Sequence, residues 1–187
     1  MGKLSYDATV SVDGYAADAD GDFQWSAPNC SVFDVHVERM ANVTTEVLGR
    51  KTFELMRYWE TDPVDEVWTP AEHEFARRWR GIDKVVVSST LTRDIESDRV
   101  RLIGDLSLDE LSRIVDGATG DVEIFGPTTA APAIRAGLVE EFQFFVVPKV
   151  VGGGLRALPD DVRLELKLVD HRVFDNGTTQ LRYVRGD

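Results

Sequence analysis

The hydrophobic and polar positions alternate between a strand-like and a helix-like period, and this alternation predicts an α/β protein. Residues 4–12 (Leu-Ser-Tyr-Asp-Ala-Thr-Val-Ser-Val) read as a strand that ends at Asp13-Gly14. A loop rich in Asp and Gly follows to about residue 30. Val32, Phe33, Val35, His36 and Met40 then fit an amphipathic helix over 31–41. The β-branched run 43–48 meets Gly49. Thr69-Pro70-Ala71-Glu72 is a helix start, with an N-cap, a first-turn proline and a capping-box Glu; this helix runs to Arg80 and stops at Gly81.

Residues 84–88 read as a buried strand and 99–103 as a shorter one. Ser107-Leu108-Asp109-Glu110 is a second capping box, opening a helix to about Asp116. Residues 121–125 form a strand that runs into Gly126-Pro127-Thr128-Thr129. A helix over 129–136 is expected next, with Pro132 in its first turn and Gly137 at its end. Residues 141–147 are strongly β-prone. Beyond Gly152-Gly153-Gly154, segments 162–174 and 178–185 flank Asp175-Asn176-Gly177, a hairpin signal. No repeat, low-complexity tract or linker interrupts the series. The expectation is one mixed-sheet α/β domain over residues 1–187.

Composition narrows the chemistry. The net charge is 21 − 33 = −12, which repels phosphate backbones and argues against nucleic acid as a partner. No apolar run reaches the roughly 18 residues of a membrane span. The opening residues turn polar too soon for a signal peptide, so the cytoplasm is the expected location. Cys30 is the only cysteine, and His36, His73 and His171 lack metal-ligand spacing, so no metal site is expected. The His-x-Glu and Pro-Cys-x-x-Cys motifs of zinc nucleobase deaminases are absent from the sequence.

Three strand ends share a pattern of β-rich run, then small or hydroxyl residues, then helix or loop. They are Leu48-Gly49-Arg50-Lys51-Thr52, Val87-Ser88-Ser89-Thr90 and Phe125-Gly126-Pro127-Thr128-Thr129. Ligands of open α/β sheets bind beyond such carboxyl ends, where free helix N–H groups attract phosphates. Gly49 and Gly126 allow close backbone approach. Arg50 and Lys51 supply local positive charge on an acidic protein, and the hydroxyls add short donors. Each segment alone is also compatible with plain punctuation and a solvated basic turn. Neither a Walker motif nor Gly-x-Gly-x-x-Gly occurs.

These segments, taken in order with Ala136-Gly137-Leu138-Val139-Glu140-Glu141-Phe142 and Val147-Pro148-Lys149-Val150-Val151-Gly152-Gly153-Gly154, resemble the dihydrofolate reductase-like superfamily. The likeness is strongest to the reductase domain of the bifunctional riboflavin-biosynthesis deaminase–reductase and its stand-alone bacterial relatives, and it spans nearly the whole chain. The resemblance implies a dihydrofolate reductase-like fold: a mixed, mostly parallel sheet flanked by helices, with a C-terminal antiparallel hairpin. It implies a cytoplasmic NADPH-dependent reductase of a small heterocycle, by hydride transfer to a C=N or C=O bond. In function it would be similar to 5-amino-6-(5-phosphoribosylamino)uracil reductase and dihydrofolate reductase.

Carried over by position, Arg50, Lys51 and Thr52 look like the phosphate-binding turn. Ser88 and Ser89, followed by Thr90, fall at the adenosine ribose and its extra phosphate, which favours NADP over NAD. Gly126 to Ala130 (Gly126, Pro127, Thr128, Thr129, Ala130) match the pyrophosphate cradle, with Pro127 where the family usually has a second glycine. Thr9 and Ala16 fall beside the nicotinamide. Dihydrofolate reductases place a carboxylate in the first long helix. The nearest match is Asp34, although counting back from Gly49-Arg50 lands on Phe33; Asp34 on a solvated face, with water as the acid, is the other reading. Asp13, Trp25, Phe53 and Gly153 are candidates on the substrate side. Asp13 also fits a turn former, Trp25 a packing residue, and the glycine run a sharp turn. FMN or a deazaflavin in the same cleft is the alternative cofactor, and a non-catalytic ligand-binding homodimer the alternative function. Residues 141–151 carry more apolar surface than an edge strand should show, and the corresponding region pairs subunits in the resembling proteins. A homodimer through them is therefore expected.

Overall fold

The computed structural model describes residues 2–91 and 97–186. Among these, eight strands form one sheet in the order β5-β4-β3-β6-β1-β7-β10-β9. The strands are β1 (Leu4–Ser11), β3 (Val43–Gly49), β4 (Asp83–Val87), β5 (Val100–Ile103), β6 (Asp121–Phe125), β7 (Glu141–Val147), β9 (Leu166–Val173) and β10 (Thr179–Arg185). Strands β5 through β7 run parallel, while β10 pairs antiparallel with β7 and with β9. Two short strands, β2 (Tyr15–Ala17) and β8 (Leu155–Arg156), form a separate antiparallel pair. The mixed sheet and C-terminal hairpin agree with the expectation. No helix among the described residues is long and apolar enough to cross a membrane.

Side-chain alternation divides the helices between two faces. Tyr6, Val47, Val85 and Ile124 pack on one face against α4 (Leu108–Gly117) and α5 (Pro127–Arg135). Leu48 and Val86 face the other way, against α2 (Arg50–Met56), α3 (Pro70–Gly81) and the Phe33 side of α1 (Cys30–Arg39). The capping box at Thr69 forms in full, its hydroxyl accepting from Glu72 N–H while the Glu72 carboxylate accepts from Thr69 N–H. Tyr6 Oη donates to Ala157 O at 2.6 Å, tying the loop after β8 to the sheet.

The α1 face carries a row of buried polar side chains. Glu46, Glu123 and Asp7 come from the neighbouring strands β3, β6 and β1, and all three are buried. Arg39 at the end of α1 meets two of them: Nη1 contacts Glu123 Oε2, and Nε lies 3.4 Å from Asp7 Oδ2. Gln143 Nε2 donates to Asp7 (2.8 Å), and Gln180 Nε2 donates to Gln143 Oε1 (3.0 Å). At the other end Trp79 Nε1 donates to Glu46 Oε2 at 2.8 Å, and the Lys84 ammonium lies 4.3 Å from the centre of the Trp79 ring. Burial raises the Glu46 carboxyl above its ordinary range and lowers Lys84 to about 8. Strand periodicity does not reveal this row, because it reads as the solvated side of each strand.

Two sequence expectations are corrected. The helix expected over 129–136 begins at Pro127, because Gly126 turns the chain with φ of 99° and Pro127 takes the first helical position. Pro132 therefore sits inside the helix rather than in its first turn. Residues 141–147, expected at a sheet edge, lie between β1 and β10, and their apolar side chains are core. That strand offers no subunit-pairing surface; only Pro148, Lys149 and Val150 of the expected segment are exposed.

Replacing Arg39 by Met should destabilise the fold by roughly 3–5 kcal/mol, because it leaves the buried Glu123 and Asp7 carboxylates without their cation. Urea denaturation of the two proteins measures this, and a loss below about 1 kcal/mol would show that the carboxylates find other partners.

Candidate functional site

The central parallel strands β3 and β6 are neighbours, with Leu48 opposite Phe125, so Gly49 and Gly126 leave the sheet side by side. The helices they launch go to opposite faces, α2 to one and α5 to the other. A crevice opens where neighbouring strand ends diverge in this way. It forms a cleft of about 570 Å³. Gly49, Arg50, Lys51 and Thr52 line one wall; Gly126, Pro127, Thr128 and Thr129 line the facing wall.

The two walls share a Gly-x-x-Thr arrangement in which each threonine packs on the other wall's glycine. A Cβ built on Gly49 would lie 2.6 Å from Thr129 Oγ1, and one on Gly126 would lie 2.9 Å from Thr52 Oγ1. Gly126 also needs its positive φ, a region that side chains other than glycine rarely adopt. The helix starts differ in capping. Asn29, Thr69 and Ser107 cap α1, α3 and α4 with side-chain oxygens, whereas α2 and α5 have no side-chain cap. In α5, Pro127 has no N–H and Ala130 N–H bonds to Gly126 O, so the Thr128 and Thr129 N–H groups begin the helix without an acceptor in it. Two backbone donors, threonine hydroxyls and two cationic side chains form a donor set suited to a phosphate-bearing ligand.

The remaining candidates separate by position. Ser88, Ser89 and Thr90 follow Val87, which lines the cleft, but they are not on its wall themselves; Ser88 Oγ accepts from Thr90 N–H and Leu91 N–H in its own turn. Thr9 and Ala16 are half-buried and not on the wall, and Ala16 packs on the core. Ala130 is fully buried, so its side chain has no access to a ligand. Phe53 is core too, packed with Met56 and Trp79, which removes it from the substrate side. Asp13 spends its carboxylate on the loop before β8, accepting from Gly152 N–H (2.7 Å) and Val151 N–H (3.2 Å). The Ser11 hydroxyl, followed by these N–H groups, holds its pKa below the usual value. Trp25 is half-buried and donates its indole N–H to Asp22 O within its own loop. Gly153 is not on the wall; next to it, Gly154 is required because a Cβ there would lie 2.1 Å from Ala17 O, where β2 meets β8.

Asp34 is exposed on the outer side of α1. Its neighbours Val32 and Val35 pack against Phe145 and Phe174, and Phe33 against Trp59 and Phe75. No carboxylate in the first turns of α1 is buried toward the sheet. His36 packs on the Phe145 ring at 4.3 Å, and burial lowers its pKa to about 4, against an opposing pull from Asp7.

Val87 belongs to one of the strand-end segments singled out in the sequence, whereas Asp105, Leu106, Pro132 and Leu155 on the cleft wall were missed. Asp105 and Leu106 had a signal, since β5 also ends on a small residue, Gly104, before a capped helix. Leu155 had none; the β2–β8 pairing delivers it. A second hollow of about 390 Å³ shares Pro127, Thr128 and Leu155 and continues to Arg135 and Arg156, whose guanidinium lies over the Tyr15 ring.

A family model described as the RibD C-terminal domain matches residues 3–180. No curated protein matches the chain. Among solved structures, a protein described as a riboflavin biosynthesis protein from a Shewanella species is similar at a TM-score of 0.74 and 22% identity, over 99% of both chains. RibD from Acinetobacter baumannii matches at 0.72 and 15%, over 100% of this chain and 58% of that one. Dihydrofolate reductase from Enterococcus faecalis, solved with NADP(H), matches at 0.64 and 19%, over 99% and 97%. At these identities the structural likenesses establish the fold.

Gly49→Ala should cost about 1–3 kcal/mol, because the new methyl overlaps Thr129 Oγ1. Adding Thr129→Ala should recover most of that loss. A thermal-unfolding double-mutant cycle checks this, and strict additivity of the two changes would refute the contact.

Proposed function

The chain belongs to the RibD C-terminal domain family, and from that premise we propose that it is an NADPH-dependent reductase of a small heterocyclic substrate. The observation that carries the reading is the cleft in which the two uncapped helix starts, Gly49-Arg50-Lys51-Thr52 and Gly126-Pro127-Thr128-Thr129, face each other. The Thr128 and Thr129 N–H groups and the Thr52 hydroxyl would hold the pyrophosphate, with Arg50 and Lys51 balancing its charge. Val87 and Leu106 would give the adenine an apolar wall, and Leu155 would close the end toward β1. The bound nicotinamide supplies the hydride; the chain's part is to hold substrate and cofactor in register and keep water from between them. With Asp34 facing solvent and no other first-turn carboxylate of α1 turned to the sheet, water is the proposed proton source.

NADPH should raise the melting temperature, and Lys51→Ala should weaken its binding about tenfold, the scale of one charge-assisted contact. Asp34→Asn should keep its turnover. Stabilisation by FMN and not by NADPH would replace this reading with a flavin protein, and a dead Asp34→Asn enzyme would return the proton to α1.

We also propose a homodimer, formed through β9 instead of residues 141–147. Strand β9 is the long outer edge of the sheet, and Val173 (70% exposed), Leu168 and Val169 stand open on it. Antiparallel self-pairing with Leu168 opposite Val169 would set Lys167 against Asp170 and Glu165 against Arg172, twice each. Light scattering should give a dimer mass for the native chain and a monomer for Val169→Lys. A monomeric native chain would dismiss the interface.

A further inference from the structure

Leu155 reaches the cleft wall directly behind Gly152-Gly153-Gly154, a run of three residues that loses more conformational freedom on ordering than any other composition would. The strand pair that delivers Leu155 is minimal. β8 has two residues, its rungs to β2 join Tyr15 with Arg156 and Ala17 with Leu155, and the register shifts between them. Even a full two-stranded ribbon is only marginally stable in water, so this segment needs another anchor.

Asp13 supplies it. The turn that carries Asp13 is held locally: Gly14 N–H donates to Ser11 O (2.9 Å), and Tyr15 N–H donates to the buried Ser11 hydroxyl (3.0 Å). From this platform the Asp13 carboxylate crosses to the other loop, one oxygen accepting from Val151 N–H and the other from Gly152 N–H. Backbone bonds close the unit on both sides, Val12 N–H to Lys149 O (2.7 Å) and Ala157 N–H to Gly14 O (3.1 Å). The end of the glycine run is fixed by the close approach of Gly154 to Ala17 O. Of these ties, the Asp13 pair is the one that fixes its start. The carboxyl pKa lies below the usual value, so the group is ionised at neutral pH and both bonds are charge-assisted. Asp13 is not itself on the cleft wall, so its effect on a ligand there passes through the loop that carries Leu155.

We infer that Asp13 is a positioning residue: it orders the glycine run so that Leu155 is held on the cleft wall against the bound dinucleotide. The inference rests on the dinucleotide reading of the cleft.

The test titrates the full chain with NADPH by calorimetry. Asp13→Ala and Leu155→Ala should each weaken binding about fivefold, the scale of one half-buried leucine contact. The double variant should be about as weak as either alone, because Asp13 acts through the contact that Leu155→Ala has already removed. Gly153 gives a test in the opposite direction. A methyl group there would meet no neighbour and its backbone is not left-handed, so alanine fits. By stiffening the run, Gly153→Ala should restore about twofold of the affinity lost in Asp13→Ala, a rescue that a merely structural role for Asp13 would not show. Asp13→Asn keeps one acceptor oxygen and should fall between the native chain and Asp13→Ala; it carries the same cycle if the alanine variant fails to fold. Native affinity in the Asp13 variants, or losses that simply multiply in the double variant, would overturn the inference and leave the dinucleotide reading in place. A folded native chain that binds neither NADPH nor NADH would overturn the two together.

Discussion

The parallel pairing of β3 with β6 is the constraint on which the site depends. The chain lays down β1, builds outward through β3, β4 and β5, and then returns to insert β6 between β3 and β1. That insertion brings Gly49 beside Gly126, although 76 residues separate them in sequence. Because the following helices pack on opposite faces, the strand ends part and leave a crevice that neither segment could make alone. The crossed contacts of Thr52 on Gly126 and Thr129 on Gly49 hold the two walls at a separation set by side-chain packing.

The other face of the same sheet carries its own electrostatic constraint. Parallel strands buried on both sides usually read as continuous apolar runs. Here Asp7, Glu46 and Glu123 stand in the interior beneath α1, and the Arg39 guanidinium lies against two of them at once. Such a row contributes little net stability over an apolar core, but losing one partner is costly. It couples the docking of α1 to the centre of the sheet, from which the strands run up to the cleft. Trp79 performs a similar service from α3, giving Glu46 its hydrogen bond and Lys84 a ring to lie against.

The cleft stands out on an acidic protein because its charge is local. The chain carries −12, yet Arg50 and Lys51 face the uncapped start of α5 across a narrow gap. Asp105 and Leu155 also line it, so acidic and apolar side chains share the crevice with the cations. Charge and shape thus vary along one crevice, as a ligand with an anionic middle and two planar ends requires.

Much of this was legible in the sequence. The capping boxes at Thr69 and Ser107, the Asp175-Asn176-Gly177 turn and the strand runs are local signals, and local backbone chemistry determined them. The strand-end segments of the cleft were legible for the same reason, since glycine and hydroxyl residues at a strand-to-helix turn mark close backbone approach. What remained hidden depends on neighbours distant in sequence. Phe53 and Ala130 looked accessible beside a binding motif, but helix rotation turned both into the core. Residues 141–147 looked like an exposed apolar edge, but β10 folded back to cover them. Asp13 looked like a turn former and proved to be the acceptor that holds Gly152, a contact across more than a hundred residues. Asp105 drew no attention in a short strand's tail, yet the fold sets it on the cleft wall. The sequence by itself determined which segments are strands, helices and turns, because propensity, capping and periodicity act within a few residues. Only the tertiary structure decided which strand ends meet and which polar side chains are buried, because both follow from the order in which distant strands pair.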